Sequence, residues 1–281
     1  MPDLFDRNYL SSLAERYGVH PSRSYGQNFL IERRPVEQAI AAAELKTSDT
    51  VVEIGPGFGA LTLAIAPAVR EVQAYEIEQQ LKPYWENVLN QYRNIKLIWG
   101  NALQKFSAEQ AGYKVVANLP YQITSPILRL FLEQAQPPEL LVCMVQKEVA
   151  ERICAAPGQL SVLAIAVQYY GRPEYIATVP RTAFWPSPKV DSALLKITVR
   201  QLPPAERAGT TRFFELVRAG FANRRKTLVN NLKGVFASIV PTERWPLVLA
   251  GIGVGPRARA QELSLEQWRA LSTYLFGLDV L

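Results

Sequence analysis

Histidine and cysteine are scarce in this 281-residue sequence: one histidine, His20, and two cysteines, Cys143 and Cys154, in no paired spacing. A structural zinc site takes about four nitrogen or sulfur ligands, so the set for a typical one is missing and no resident metal is expected. The same scarcity excludes Ser-His-Asp and Cys-His nucleophilic chemistry, which needs an oriented base beside the nucleophile. The cysteines read as buried, neutral thiols. Long apolar runs are also absent. Leu160–Val167 is among the longest, far below the ~18–20 residues that cross a bilayer. The opening Met1-Pro2-Asp3-Leu4-Phe5-Asp6 is acidic with no apolar centre, so no secretory signal is read and a cytoplasmic protein without membrane attachment is expected.

Charge is unevenly placed. The net +6 divides into +8 over residues 181–281, with 15 Lys and Arg against 7 Asp and Glu, and −2 over the first 180, with 16 against 18. A basic second part points to a polyanionic partner.

From Pro35 the pattern alternates helix and short β-branched strand. Strands are read at Thr50–Ile54, Glu71–Tyr75, Ile95–Trp99, Lys114–Ala117 and Leu140–Val145. Helices are read at Tyr9–Tyr17, Val36–Leu45, Gly59–Val69, Gln79–Gln91, Ser125–Ala135, Lys147–Cys154 and Leu160–Tyr170. Such alternation implies an α/β fold of Rossmann type, a mostly parallel central sheet with helices on both faces. Tyr175–Val179 and Ala193–Val199 read as closing strands that form an antiparallel edge. Gln201–Gly209, rich in turn formers, reads as a linker between a domain at 1–200 and a small all-α domain at 210–281. The helices of the second domain are read at 211–222, 225–235, 242–250 and 264–275, the last starting at Ser264.

Val51-Val-Glu-Ile-Gly-Pro-Gly-Phe-Gly59 joins a strand to a helix. Gly55 and Gly57 let the backbone turn tightly and approach a ligand. The spacing is not that of a dinucleotide loop, Pro56 has no N–H to donate, and Glu53 at the strand end repels phosphate. A ligand with a cationic amino-acid end suits this acidic strand end, and S-adenosyl-L-methionine has one. Glu76 follows Gly55 by 21 residues, the position at which α/β nucleotide folds place a carboxylate on ribose hydroxyls. Asn101, after the next strand, is a candidate hydrogen-bond partner for the cofactor's adenine.

Lys114-Val-Val-Ala-Asn-Leu-Pro-Tyr121 runs from a strand into a stiff polar turn. An adenine amine is a poor nucleophile, because its lone pair is delocalised into the ring. Acceptors placed on its hydrogens draw it toward tetrahedral geometry. The Asn118 side-chain oxygen and the Leu119 carbonyl supply two; Pro120 restricts Leu119 and fixes its own φ, and Tyr121 offers a face for a base lifted from its stack.

Read together, these segments resemble the ribosomal RNA adenine dimethyltransferase family, small-subunit (KsgA) type, over nearly the whole chain. Gly26-Gln-Asn-Phe-Leu30 resembles its N-terminal cofactor motif, Glu53–Thr62 its glycine loop, Tyr75–Glu78 its acidic strand end and Asn118–Tyr121 its catalytic motif. Phe184-Trp-Pro-Ser-Pro-Lys-Val-Asp-Ser192 resembles the segment closing its target-base pocket, and Phe221–Leu232 its basic helical region. The resemblance implies a cofactor site at Asn28, Leu30, Gly55, Gly57, Glu76, Asn101 and Asn118, with Asn118, Leu119, Pro120, Tyr121 and Phe184 around the target adenine. Asn101 stands where the family usually has Asp. The implied activity is dimethylation of two adjacent adenosines near the 3′ end of small-subunit RNA, with the assembling 30S particle as partner.

Arg224, Arg225, Lys226 and Lys233 form a cluster suited to RNA phosphates. A continuous helix through Phe221, Leu228 and Leu232 would set Arg225 on its apolar stripe, so a break is expected near Asn223, with Asn223 capping the next helix. Two other readings stand beside this one: a resistance-type dimethylase of large-subunit RNA, and an RNA-binding assembly factor without turnover. A nicotinamide dehydrogenase fits least.

Overall fold

The computed structural model describes residues 3–21, 27–108 and 111–277. Its elements begin with α1 (Arg7–Arg16), β1 (Phe29–Leu30), α2 (Arg33–Ala43), β2 (Thr50–Ile54), α3 (Thr62–Ile65), β3 (Glu71–Glu76), α4 (Lys82–Leu89), β4 (Ile95–Trp99) and α5 (Ala102–Lys105). They continue through β5 (Lys114–Asn118), α6 (Thr124–Leu132), β6 (Leu140–Gln146), α7 (Lys147–Ile153), α8 (Val162–Tyr170), β7 (Gly171–Val179), β8 (Phe184–Trp185) and β9 (Ser192–Val199). Four helices close the chain: α9 (Pro204–Gly220), α10 (Leu228–Leu232), α11 (Trp245–Gly251) and α12 (Leu265–Phe276). None of the helices is long and apolar enough to cross a membrane, among the described residues.

The sheet has the order β4-β3-β2-β5-β6-β9-β7. Every pairing from β4 to β6 is parallel, and β9 joins β6 antiparallel. The α/β expectation and the antiparallel late strand are therefore met. All five residues of β2 are buried, as a central parallel strand covered on both faces requires. Sequence order runs outward from β2 to β4 on one side and from β5 to β6 on the other. The crevice above their carboxyl ends is the switch point at which such sheets bind ligands.

Four differences from the sequence reading have physical causes. The helix expected over Gly59–Val69 is one α-turn, α3, followed by a 3-10 turn at Ala66–Ala68, because Pro67 has no N–H for a continuing ladder. Residues 201–209 are not a free linker: α9 starts at Pro204, where a proline with preset φ opens a helix well. The chain clusters as Met1–Ala150 with Arg172–Val199, and Glu151–Gly171 with Arg200–Leu281, so α8 belongs with the C-terminal helices rather than with a 1–200 unit. The 225–235 helix is only α10, capped not by Asn223 but by Thr227, whose hydroxyl accepts from the Asn230 N–H.

In the second unit, Trp245 and Trp268 are fully buried and α8, α9 and α12 meet around Tyr169. Glu206 accepts from the Arg200 guanidinium, and Arg269 lies 3.4 Å from the same carboxylate; both guanidinium groups stand over the Tyr169 ring. At α12 the expected start holds, with Ser264 and Gln267 capping each other's backbone N–H. Cys143 is buried, its thiol pushed up to about 12 by desolvation, and Cys154 is half-buried.

Candidate active site

The glycine loop leaves β2 with Gly55 and Gly57 at φ of 70° and 57°. At Gly57 a side chain is excluded twice over. Its φ is left-handed, and a Cβ would stand 2.8 Å from the Phe29 ring. Two residues of α4 lock the loop from beneath. The Trp85 indole N–H donates to the Gly57 carbonyl at 2.9 Å, and the Tyr84 hydroxyl to the Phe58 carbonyl at 2.7 Å. Sequence reasoning missed both, since each reaches across more than 25 positions to a backbone atom with no sequence signature. Gly57→Ala is expected to cost about 1–3 kcal/mol, from the left-handed backbone plus displacement of Phe29. Thermal unfolding and titration with S-adenosylhomocysteine check this, and both are expected to weaken together.

Two carboxylates lie under the loop. Glu76, at the end of β3, is 4% exposed and accepts from three backbone N–H groups: Gly57 at 3.0 Å on one oxygen, Ile77 and Glu78 at 2.8 Å on the other. Burial pushes its pKa up, the three N–H donors pull it back, and the net shift is upward. Glu53, at the end of β2, is 1% exposed and accepts from the Thr62 hydroxyl at 2.6 Å. Desolvation is the main reason its pKa is pushed up to about 8; Thr62 opposes this and the Glu76 charge adds to it.

Asn118 ends β5 beside these acids. Its side-chain NH2 donates to the Asn28 carbonyl at 3.1 Å, which leaves Oδ1 as the atom for a ligand. Leu119 is buried and its N–H donates to the Met144 carbonyl at 3.0 Å, so the following turn hangs from β6. The Pro120 carbonyl accepts from the Ile123 N–H at 3.1 Å, and Tyr121 is half-buried.

One cavity, with about 860 Å³ of unfilled space open to solvent, gathers these residues. Of the sequence-derived set, Asn28, Leu30, Gly55, Gly57, Glu76, Asn118, Leu119, Pro120 and Tyr121 line it, together with Glu53. Gly26 lies outside the described residues. Two of the expected residues stand elsewhere in this structure. Asn101 is not on this wall: it is the N-cap of α5, its Oδ1 accepting from the Leu103 N–H at 3.0 Å. Phe184 is also absent from the wall. It is 2% exposed and pairs with Leu30 in the β1–β8 ladder, where alternation turns it into the core. Its neighbour Trp185 faces the other way and stacks on Phe29 at 6.3 Å.

The arrangement fits S-adenosylmethionine on its own chemistry. The cavity holds two buried carboxyl groups at strand ends, Glu76 and Glu53, of the kind that can accept from hydroxyls or face a cation. The N–H groups of all three loop glycines are already given, Gly55 to the Tyr75 carbonyl, Gly57 to Glu76 and Gly59 to the Pro56 carbonyl, so none of the three serves a phosphate. The model of ribosomal RNA adenine dimethylases matches residues 20–276. The chain belongs to that family. Its methyl donor is S-adenosylmethionine. This dimethylase is 41% identical to ribosomal RNA small subunit methyltransferase A of Dehalococcoides mccartyi over 266 residues, covering 92% of this chain and 90% of that one. It is 40% identical to the protein of the same name from Bacillus mycoides, over 98% of both. Among solved structures, a 23S rRNA methyltransferase, ErmE, superposes with a TM-score of 0.74 at 29% identity, covering 88% of this chain and 99% of that one. A dimethyladenosine transferase from Plasmodium falciparum gives 0.74 at 26%, over 86% and 95%.

In the second unit, α9 ends at Gly220 and α10 starts at Leu228, so the expected break is present. The turn between them is rigid: the Asn231 side chain donates to the carbonyls of Gly220 and Asn223, and Asn223 Oδ1 accepts from the Arg225 N–H. It presents Arg224, Arg225 and Lys226 to solvent, and Lys233 is exposed at the end of α10. The Leu228 N–H donates to the Ala258 carbonyl at 2.8 Å, which brings the 255–259 loop, with exposed Arg257 and Arg259, beside this turn. Those two arginines escaped the sequence reading because they lie more than 30 positions away.

Proposed function

We propose that this chain places two methyl groups on N6 of each of two adjacent adenosines near the 3′ end of 16S RNA, on an assembling small subunit in the cytoplasm. The observation that carries the chemistry is the Asn118 amide, oriented by Asn28 in the same cavity as Glu76 and the glycine loop. The small-subunit relatives at 40–41% identity support the choice of RNA over the large-subunit alternative that the 29% likeness to the 23S enzyme raises. Incubating separated ribosomal subunits with radiolabelled methyl donor tests it. Label in small-subunit RNA is expected; label confined to large-subunit RNA overturns the choice.

S-adenosylmethionine, when bound, supplies an electrophilic methyl on a sulfonium. The protein does the rest by position. Glu76 holds the ribose hydroxyls while fixing the loop through its three N–H donors. Glu53 supplies negative charge to the cationic end of the cofactor. Asn118 Oδ1 and the Leu119 carbonyl accept the two amine hydrogens of the adenine, so that its nitrogen lone pair turns out of the ring plane toward the methyl. Tyr121 stacks on the base and keeps it out of the RNA helix. Orientation of this kind replaces a charged base. The alkylated amine is acidic enough to shed its proton to water.

Glu53 makes cofactor binding pH-dependent. Its pKa of about 8 means that the free protein carries a proton there at neutral pH. That protonated state stabilises the folded free protein below the usual carboxylate range, and the contribution is lost as pH rises through about 8. A cationic ligand prefers the ionised form, so binding expels the proton and affinity strengthens as pH climbs toward 8. Titration calorimetry in buffers of different ionisation enthalpy reads the released proton. The cofactor's amino group titrates nearby, so the difference between wild type and Glu53→Gln is the quantity to compare. That difference is expected to grow from about pH 6 to pH 8 and then level off.

The two basic loops serve RNA phosphates, giving affinity and register rather than sequence choice. Replacing Arg224, Arg225 and Lys226 together by Ala is expected to flatten the slope of log affinity against log salt by about 2–3, with S-adenosylhomocysteine binding unchanged.

A further inference from the structure

Tyr121 is tied to the last residue of the Phe184–Ser192 segment, one that the cavity wall does not include. Its hydroxyl lies 2.7 Å from the Ser192 hydroxyl, 71 positions away in sequence. Ser192 is fully buried at the first position of β9, directly opposite Gln146 of β6, and is followed by Ala193, Leu194 and Leu195. A serine at the head of an apolar buried strand needs a partner, and Tyr121 is that partner. The residue before it is held firmly as well. The Asp191 carbonyl accepts from the Lys147 N–H at 3.0 Å, and its side chain accepts from the Arg181 N–H at 2.9 Å. The hydroxyl that meets Tyr121 therefore belongs to a fixed point of the sheet, whereas Tyr121 itself sits on a single 3-10 turn, Tyr121–Ile123.

We infer that Ser192 is a positioning residue for methyl transfer, holding the Tyr121 ring at the tilt that stacks the target adenine with its amine toward Asn118 and Leu119. This rests on the reading of Tyr121 given above. A phenol can turn about two side-chain torsions. The bond to Ser192 removes that freedom at the end of the ring farthest from the backbone, where a small rotation would move the stacking face most. Ser192 is not on the cavity wall, so it acts through the tyrosine alone.

The test compares Ser192→Ala, Tyr121→Phe and the double variant, each full-length, for methyl transfer to small ribosomal subunits, with S-adenosylhomocysteine titration as a second readout. One hydrogen bond lost from either side should lower kcat by about 5- to 10-fold, with KM for the subunit and cofactor affinity within about two-fold of wild type. The double variant should be no slower than the slower single one, since both remove the same bond. A wild-type rate for Ser192→Ala overturns the inference. So does a double variant whose loss is the product of the single losses, or a Ser192→Ala defect that appears equally in cofactor affinity. Should wild-type enzyme methylate large-subunit RNA instead, the substrate assignment falls, and the same three variants compared on that RNA still decide the role of Ser192.

Discussion

Replacing Asn118 by Ala is expected to slow methyl transfer by about 100- to 1000-fold, about 3–4 kcal/mol of transition-state stabilisation. The size follows from what the amide does. Oδ1 is left as a neutral acceptor on a cavity-lining residue, because the NH2 end is committed to the Asn28 carbonyl. Removing it leaves one amine hydrogen without its acceptor, and the nitrogen lone pair stays conjugated with the ring. Asn118→Asp is the informative companion. The Asn28 carbonyl would then face a carboxylate oxygen rather than an N–H, so the side chain is pushed from its position although an acceptor is still present. Single-turnover rates with saturating cofactor and subunits separate this chemical defect from weakened binding. A rate for Asn118→Ala within about three-fold of wild type would remove Asn118 from the mechanism.

Glu76→Gln is expected to weaken S-adenosylhomocysteine binding by about 100-fold, about 2.7 kcal/mol, and to lower thermal stability with it. Both carboxylate oxygens of Glu76 are engaged by backbone donors, Gly57 on one and Ile77 and Glu78 on the other. A glutamine has one oxygen and one NH2. Whichever way it is turned, a donor meets a donor, either at the glycine loop or at the strand end. The substitution therefore disturbs the loop and, on the role proposed for Glu76, removes an acceptor for ribose hydroxyls in one step. Calorimetric titration reads the affinity, and an unchanged dissociation constant would detach Glu76 from the cofactor.

The strands from β2 to β6 were legible because each is short, rich in β-branched or aliphatic residues and bounded by turn formers. Their predicted limits agree with the structure to within one residue. Helices whose ends depend on tertiary partners were less so. Thr62 turns its hydroxyl to Glu53, and Pro67 stops the ladder, so a helix that looked eleven residues long is a single turn. Residues that reach the cavity from their own strand ends, such as Gly55, Glu76 and Asn118, were legible in the sequence. Contacts were not legible where the partner is a distant backbone atom or a second hydroxyl, as at Trp85 and Ser192. Phe184 is a different case, buried where the sequence suggested an open face. Flanking prolines marked a stiff aromatic segment, but which of two adjacent aromatics faces inward depends on pairing with β1, and pairing leaves no trace in composition. Asn101 was singled out by its place after β4, and what that place could not reveal is that its oxygen also caps the start of α5.

The central claim is geometric: an amide held by Asn28 and a carbonyl stiffened by Pro120 grip an adenine amine beside the methyl donor. A crystal structure of the protein with S-adenosylhomocysteine and adenosine measures this directly. The account predicts N6 of the adenosine within about 3.2 Å of both Asn118 Oδ1 and the Leu119 carbonyl, with the homocysteine sulfur on the same side of the base. An adenosine whose amine points away from Asn118, or a sulfur on the far side of the glycine loop, would contradict it.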